Sequence, residues 1–451
     1  MNRPNILFIV MDSVSARRLP TYGYTRETMP CLESFGNAAT VYENVYANSS
    51  WTVPTHGTLF TGQYPSAHGA HANHKYFNVP EEETLAQQLS DEGYHTVGLS
   101  TNPWISTDFG YDTGFDEFHD VRVPVPYPEE QHPRNLTDRL EPHADQPIRK
   151  YAAFLKWAIE GNPAKRVRNL LNFRYDDAEF ADGEELNRRV VKWLDGYDGR
   201  EPFFMFLNYM DGHEPYHPSE EHLSEFREGD CDAEIEWHLR SLNQTYDEAT
   251  KQCINDKYDA SLLYLDEQLD ALFTELEARS LDEDTYVVVT ADHGKCLDDY
   301  MGVGTYLYDD LVQIPLIVAT PERRGERKTE QLSQVDIHEK VLDMAGISVD
   351  SDRPSGSFAE TLGSHQDVVV DDHTLPPKGL QRIDYGDRMF VRDTGTGEIR
   401  RSENLGADGL KELEELEEGH LAYCNSQSDN GNGSEEMKSS VQDRLERLGY
   451  L

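Results

Sequence analysis

Through the first 350 residues, short continuous apolar runs alternate with longer stretches of helical period. The runs fall at residues 6–10, 96–99, 203–207, 286–290 and 316–318. They are continuous rather than alternating, the pattern of strands buried on both faces. Helix-period segments lie between them, such as 84–92 and 257–278, and Gly93 supplies a helix stop before the second run. Strands separated by helices predict a parallel sheet sandwiched by helices.

The pattern breaks twice. Residues 121–133 are rich in proline and a basic amphipathic piece follows at 148–171, so 121–190 reads as an insertion, a lid over a site. After residue 350 the sheet pattern weakens. Residues 388–400, with Thr394-Gly395-Thr396-Gly397, read as a hairpin of a small second unit, and 409–418 as an acidic helix. The expected organisation is a catalytic domain over 1–350, a small C-terminal subdomain over 351–424, a flexible linker over 425–440 and a terminal helix over 441–451.

At 451 residues the chain is too long for one ordinary core. Its 84 acidic and 41 basic side chains leave a net charge of −43, which excludes a nucleic-acid footprint and docking on an anionic membrane. Hydrophobic residues at 37% and aromatics at 10% exclude a disordered chain. Such an acid excess implies a halophilic protein living in concentrated salt, where self-repulsion is screened. The five cysteines (31, 231, 253, 296 and 424) include no C-x-x-C pair, so reduced thiols and no zinc cluster are expected. The N-terminal apolar run, residues 5–11, is shorter than a signal-peptide core with its cleavage site, and no stretch approaches a membrane span. A soluble, cytoplasmic enzyme is the expectation.

Four segments carry candidate chemistry. Phe8-Ile9-Val10-Met11-Asp12-Ser13 puts a carboxylate at the end of the first strand, where open α/β sheets hold ligands. By itself such an Asp is more often a helix cap. In Trp51-Thr52-Val53-Pro54-Thr55-His56, Pro54 fits a first helical turn and Gly62 the end, so Thr52 sits at a helix N-terminus with His56 one turn on. Taken alone, this is an ordinary Thr cap. Thr290-Ala291-Asp292-His293-Gly294-Lys295 delivers a carboxylate and an imidazole at a strand tip, good ligands for a divalent metal, or a turn that bonds itself. Asn208-Tyr209-Met210-Asp211-Gly212-His213 ends another strand in polar groups; His213 is the candidate and His217 reads as a loop residue. Together the four are far more specific than any one, because Asp12, Thr52, Asp292 and His293 can converge on one ion.

These segments resemble the sulfatase branch of the alkaline-phosphatase superfamily. The likeness runs through residues 5–12, Tyr22-Gly23, 52–62 with Tyr64-Pro65, 84–100, 114–118, 292–294 and 307–321. It implies a three-layer α/β/α sandwich with a small C-terminal subdomain. The chain departs from the family at the nucleophile. Sulfatases carry C-x-P-x-R or S-x-P-x-R, whose first residue is oxidised to formylglycine. Here the string is Thr52-Val53-Pro54-Thr55-His56, and a β-methyl bars the same aldehyde. Ser13 stands where many sulfatases have an Asp, and Val303 where relatives often have a His. A threonine on one metal is instead similar to phosphotransferases of the superfamily.

The implied function is metal-dependent cleavage or transfer of an anionic ester, phosphate before sulfate. Asp12, Thr52, Asp292 and His293 would hold one divalent ion, Mn²⁺ or Mg²⁺ first and Ca²⁺ or Zn²⁺ after. Thr52 would attack, His213 would hold anion oxygens, His56 would orient Thr52 or touch the anion, and Lys295 would clamp the anion. The partner would be a small anionic ester or a glycan or lipid head-group. The alternatives are an inactive relative that binds an anionic glycan and a two-zinc phosphodiesterase, the latter needing further ligands for which His213 and His217 are the candidates.

Overall fold

The computed structural model describes residues 3–71, 74–122, 154, 156–157, 162–172, 181–231, 246–297, 307–322, 324–349, 353–362, 369–370, 373–374 and 379–427. Eight strands form the central sheet: β1 (Asn5–Met11), β2 (Thr40–Tyr46), β3 (His95–Ser100), β4 (Glu117–Asp120), β5 (Phe203–Tyr209), β6 (Thr285–Ala291), β7 (Leu316–Ala319) and β8 (Glu326–Ser333). Their order is β4-β3-β5-β1-β6-β7-β2-β8. β1 lies in the middle with every residue buried, parallel to β5 on one side and β6 on the other.

All five apolar runs are strands of this sheet. β2, β4 and β8 escape the hydrophobic pattern. β4 and β8 are the outer strands and keep polar residues such as Glu326 and Arg327 in solvent, while β2 beside β8 is half buried. β7 corrects the expectation of a parallel sheet, since it runs antiparallel to β6 and β2. The segment after β6 turns back at the same end of the sheet, through the single helical turn Asp309–Val312, so the next strand starts there.

Helices form two groups. α1 (Pro30–Asn37) packs against the long helix Glu248–Ala278, as does Gly183–Leu194. α2 (Thr52–Thr61) packs against Gln334–Met344 and Leu85–Asp91. With both sheet faces apolar, the two groups complete three layers. The helix at 84–92 appears as Leu85–Asp91, with Thr84 capping Gln87 N and Gly93 following in the left-handed region. The helix at 257–278 begins earlier, at Glu248. Its first turns bury polar residues that hide the period, among them Asp256, which pairs with Arg26 and Arg227. Further along, Asp266 accepts the N–H groups of Cys31 and Leu32 at the start of α1.

The C-terminal unit is a four-stranded antiparallel sheet of β9 (Ser357–Leu362), β12 (Gly379–Tyr385), β13 (Arg388–Asp393) and β14 (Ile399–Glu403), with a short pair β10 (Val369–Val370) and β11 (His373–Thr374). The hairpin expected at 388–400 is β13–β14, its turn held by Asp393 Oδ1 on Gly395 N and Thr396 N. The acidic helix is longer than expected, Ala407–Gln427, and takes in the first residues of the expected linker. The rest of 425–440, the terminal helix, Val303 and most of 121–190 lie outside the described residues. β9 is seated on the segment that leads into α2, where Asn48 Nδ2 donates to Phe358 O at 2.6 Å and Ser49 Oγ to Glu360 O at 2.8 Å.

Cys231 and Cys253 are joined in a disulfide, which corrects the expectation of five reduced thiols; Cys31, Cys296 and Cys424 form no disulfide. The pairing is spatial, because the long helix brings Cys253 to within 5.7 Å (Cα–Cα) of Cys231 from 22 residues away in sequence. It also removes a premise of the cytoplasmic expectation, since disulfides persist in oxidising surroundings. No helix among the described residues is long and apolar enough to cross a membrane.

Candidate active site

Parallel strands deliver their polar residues to one edge of the sheet, where open α/β folds hold ligands. Asp12 follows β1, Asp292 and His293 follow β6, Asn102 follows β3, and Asn208 and His213 belong to the end of β5 and its loop. α2 starts at the same place. All ten of its residues are buried, Trp51 precedes it without a side-chain cap, and Gly62 ends it in the left-handed region. Thr52 is therefore held with free backbone N–H groups around it.

Asp12, Asp292 and His293 are buried and offer ligand atoms within 4.8 Å of one another, the one such set of three among the described residues. Thr52 Oγ1 donates to Asp12 Oδ2 at 3.3 Å and lies 3.5 Å from His293 Nε2. Asp292 Oδ1 accepts Ser13 N at 2.9 Å and His293 N at 2.7 Å, while Oδ2 has no hydrogen-bond partner. Ser13 Oγ donates to Asp12 Oδ1 at 2.8 Å. His293 Nδ1 donates to Gly294 O at 2.7 Å, which leaves the Nε2 lone pair facing the cluster. Gly294 is required here, since a β-carbon would sit 2.0 Å from Asp310 O.

The electrostatics fit a cation. Burial raises Asp292 to about 7. Burial and then the Asp292 charge raise Asp12. Burial lowers His293, so its imidazole is neutral. Two buried carboxylates, one of them with an orphaned oxygen, and a neutral imidazole form a donor set for one divalent ion. No second set of three is present among the described residues, and His217 is exposed, so nothing in the geometry favours two zinc ions.

The remaining sequence candidates fall close by but in other roles. His56 Nδ1 meets Thr52 O at 2.9 Å and Nε2 meets Asn208 Nδ2 at 3.0 Å, so both ring nitrogens are taken by the protein. Burial lowers this ring to about 3. His213 Nδ1 donates to Glu214 O at 2.7 Å. Lys295 pairs with Glu214, which is itself buried. Burial pushes Glu214 up, but the Lys295 ammonium overrides it and holds the carboxyl at about 2.

Glu214, Asn102 and Asn208 were not singled out in sequence. Asn102 donates its amide to Asp12 Oδ2 and accepts Trp104 N at 2.8 Å. The rule that located Asp12, a polar residue just past a buried strand, also applies to Asn102 after β3.

A sulfatase family model matches residues 4–347. The uncharacterized sulfatase YidJ of Escherichia coli is 22% identical over 365 residues, covering 77% of this chain and 69% of its own length. The choline-sulfatase of Rhizobium meliloti is 22% identical over 383 residues, covering 78% and 69%. A structure solved with its substrate D-glucosamine-2-N,6-O-disulfate superposes with a TM-score of 0.68 at 17% identity, over 96% of this chain and 100% of that one. The phosphonate monoester hydrolase of Silicibacter pomeroyi gives 0.65 at 16% identity, over 95% and 96%. These neighbours share the three-layer alkaline-phosphatase/sulfatase fold. The family match spans every residue of the cluster at the sheet edge, and the chain belongs to the sulfatase family.

Proposed function

We propose that this protein hydrolyses or transfers an anionic ester through a direct attack by Thr52. The carrying observation is the position of Thr52 Oγ1, at the head of a buried helix between Asp12 and His293. Asp12, Asp292 and His293, with Thr52 Oγ1, would hold one divalent ion, Mn²⁺ or Mg²⁺ by ligand type. Bound there, such an ion acts as a Lewis acid that neutralises anionic oxygens and eases ionisation of the hydroxyl.

The chain's own groups supply the rest. Thr52 O–H donates to Asp12, so a lone pair on Oγ1 is free for in-line attack on sulfur or phosphorus. The new Oγ1 bond forms as the ester oxygen leaves, and the threonine proton ends on the leaving alcohol. Water or an acceptor hydroxyl then breaks the threonine ester and restores the hydroxyl. The N–H groups at the start of α2 and His213 would stabilise the non-bridging oxygens. His56 fixes the backbone carbonyl of Thr52 and so acts as a positioning residue.

Curated relatives named as sulfatases support sulfate esters as substrates, and phosphonate monoester hydrolases among the structural neighbours support phosphorus. Our preference is phosphate, because Thr52 cannot become formylglycine. The rival reading, an inactive binder of an anionic glycan, draws on the Lys295–Glu214 pair, which occupies an expected anion clamp. The acid excess keeps a halophilic habitat as a further proposal.

The test is Thr52→Ala and Thr52→Ser against aryl phosphate, phosphodiester and sulfate esters with each metal at high salt. Alanine should lose turnover and keep the fold, and serine should keep part of it. Rapid quench of the wild type should leave a phosphate or sulfate adduct on the peptide holding Trp51 and Pro54. Wild-type turnover by Thr52→Ala would reduce Thr52 to a helix residue and overturn the mechanism.

A further inference from the structure

One buried cation takes no part in the chemistry above. Lys75 is 8% exposed, and among the described residues no carboxylate offsets its charge, although acidic side chains outnumber basic ones 84 to 41. Burial is the one cause acting on it, and it lowers the ammonium to about 8. Lys295, by contrast, has Glu214. A largely buried charge with no carboxylate beside it is costly, and an anion reaching its ammonium would offset that cost.

The surroundings point to where that anion comes from. Lys75 Nζ lies 4.7 Å from the centroid of the Trp104 ring, a cation–π distance. Trp104 is itself buried and meets Trp51 edge-on at 6.2 Å, and Trp51 is the residue before Thr52. The backbone N–H of Trp104 is held by Asn102 Oδ1, and the Asn102 amide reaches Asp12. Lys75 is thus linked to the nucleophile through Trp51 and to the metal cluster through Asn102. Its loop is pinned at both ends. His68 Nε2 lies 3.2 Å from Pro54 O, and its ring packs so closely on α2 that a β-carbon on Gly57 would come within 2.5 Å. Past Lys75, Phe77 N donates to Phe109 O at 2.8 Å.

We infer that Lys75, backed by Trp104 and Trp51, is a substrate-binding residue of this site and takes an anionic oxygen of the ester. This rests on the Thr52 reading and names the residue that recognises its substrate. The oxygen belongs either to the reacting sulfate or phosphate or to a second acidic group on the leaving alcohol. Both place the same ion pair on Lys75.

Lys75→Met and Lys75→Arg, assayed on 4-nitrophenyl phosphate and sulfate and on their carboxylate-bearing analogues, separate the two sources. Methionine keeps the apolar stem and should lower kcat/KM on the order of 10–100-fold, the worth of one charged hydrogen bond. Arginine should restore part of it. A loss on every ester assigns the reacting group, and a loss confined to the carboxylate-bearing esters assigns the leaving group. Without ligand, Lys75→Met should melt no lower than wild type, because an unpaired buried charge has gone; a merely structural lysine would not behave so. Lys75→Gln serves if methionine does not fold. Binding of inorganic phosphate and sulfate to Thr52→Ala with and without Lys75→Met reads the pair apart from turnover. If Thr52→Ala is inactive while Lys75→Met keeps both wild-type turnover and wild-type anion binding, the Lys75 assignment fails and the Thr52 reading stands. If Thr52→Ala is active, the Thr52 reading fails and the binding arm alone judges Lys75.

Discussion

The side-chain amide of Asn208 lies 3.0 Å from Nε2 of His56, and the opposite ring nitrogen lies 2.9 Å from Thr52 O. A carbonyl accepts only, so Nδ1 carries the proton and Nε2 receives the Asn208 N–H. The imidazole is an uncharged strut that spans β5 and the first turn of α2. It stands at the position where the sulfatase string has arginine, but it offers no charge to a substrate.

His56→Ala should therefore act through the position of Thr52. Removing a buried ring with two hydrogen bonds should cost about 2–4 kcal/mol of stability. Substrate turnover should fall more than metal affinity. His56→Arg should not improve turnover, because the ring is packed among Phe60, Tyr111 and Phe206 with no room for a guanidinium. Melting curves with metal titration and kcat measurements check both variants. An Arg variant faster than wild type would mean the site reads anions at this position after all.

Asp292→Asn should lower affinity for Mn²⁺ or Mg²⁺ by at least about 100-fold, beyond the range of an outer-shell change. The fold should survive, since the amide oxygen can still accept Ser13 N and His293 N. Without metal the variant should melt no lower than wild type, because it removes a fully buried carboxylate with one orphaned oxygen. With metal the order should reverse, as the ion stabilises only the protein that binds it. Metal analysis and paired melting curves provide the test, and full occupancy in the variant would remove Asp292 from the ligand set.

Glu360 joins the C-terminal sheet to the segment before Thr52, and burial pushes its carboxyl up to about 7. A raised pKa means that the folded protein holds a proton the unfolded chain has released. That contribution is complete below the ordinary value of 4.5 and is lost as pH rises to about 7. Glu360→Gln keeps the shape and cannot ionise. Its stability relative to wild type should rise across pH 4.5–7 and level off above, by on the order of 3 kcal/mol. Denaturant melts of both proteins at pH 5 and pH 8 decide it, and a difference independent of pH would show that Glu360 titrates normally.

Much of this protein is written locally. Continuous apolar runs can be satisfied only as strands covered on both faces, so β1, β3, β5, β6 and β7 were legible along the chain. Asp12, Asp292 and His293 were legible for the same reason, because a polar residue just past a buried strand must emerge at the sheet edge. Thr52 was marked by Pro54 and Gly62 at the two ends of its helix. What tertiary structure decided was which groups meet across long separations. β4 and β8 are polar because their outer faces are wet, and nothing in their own sequence says that a sheet borders them. The β7 direction followed from the end of the sheet at which the chain re-enters it, which periodicity does not encode. Lys295, expected as an anion clamp, is paired with Glu214, and Lys75, which no sequence pattern singles out, is buried on Trp104 by the fold. The Cys231–Cys253 bond depended on where a long helix passes. Hydrophobic patterning is a property of neighbours in sequence, whereas charge pairing, desolvation and ring protonation depend on neighbours in space, and those arise only once the layers pack.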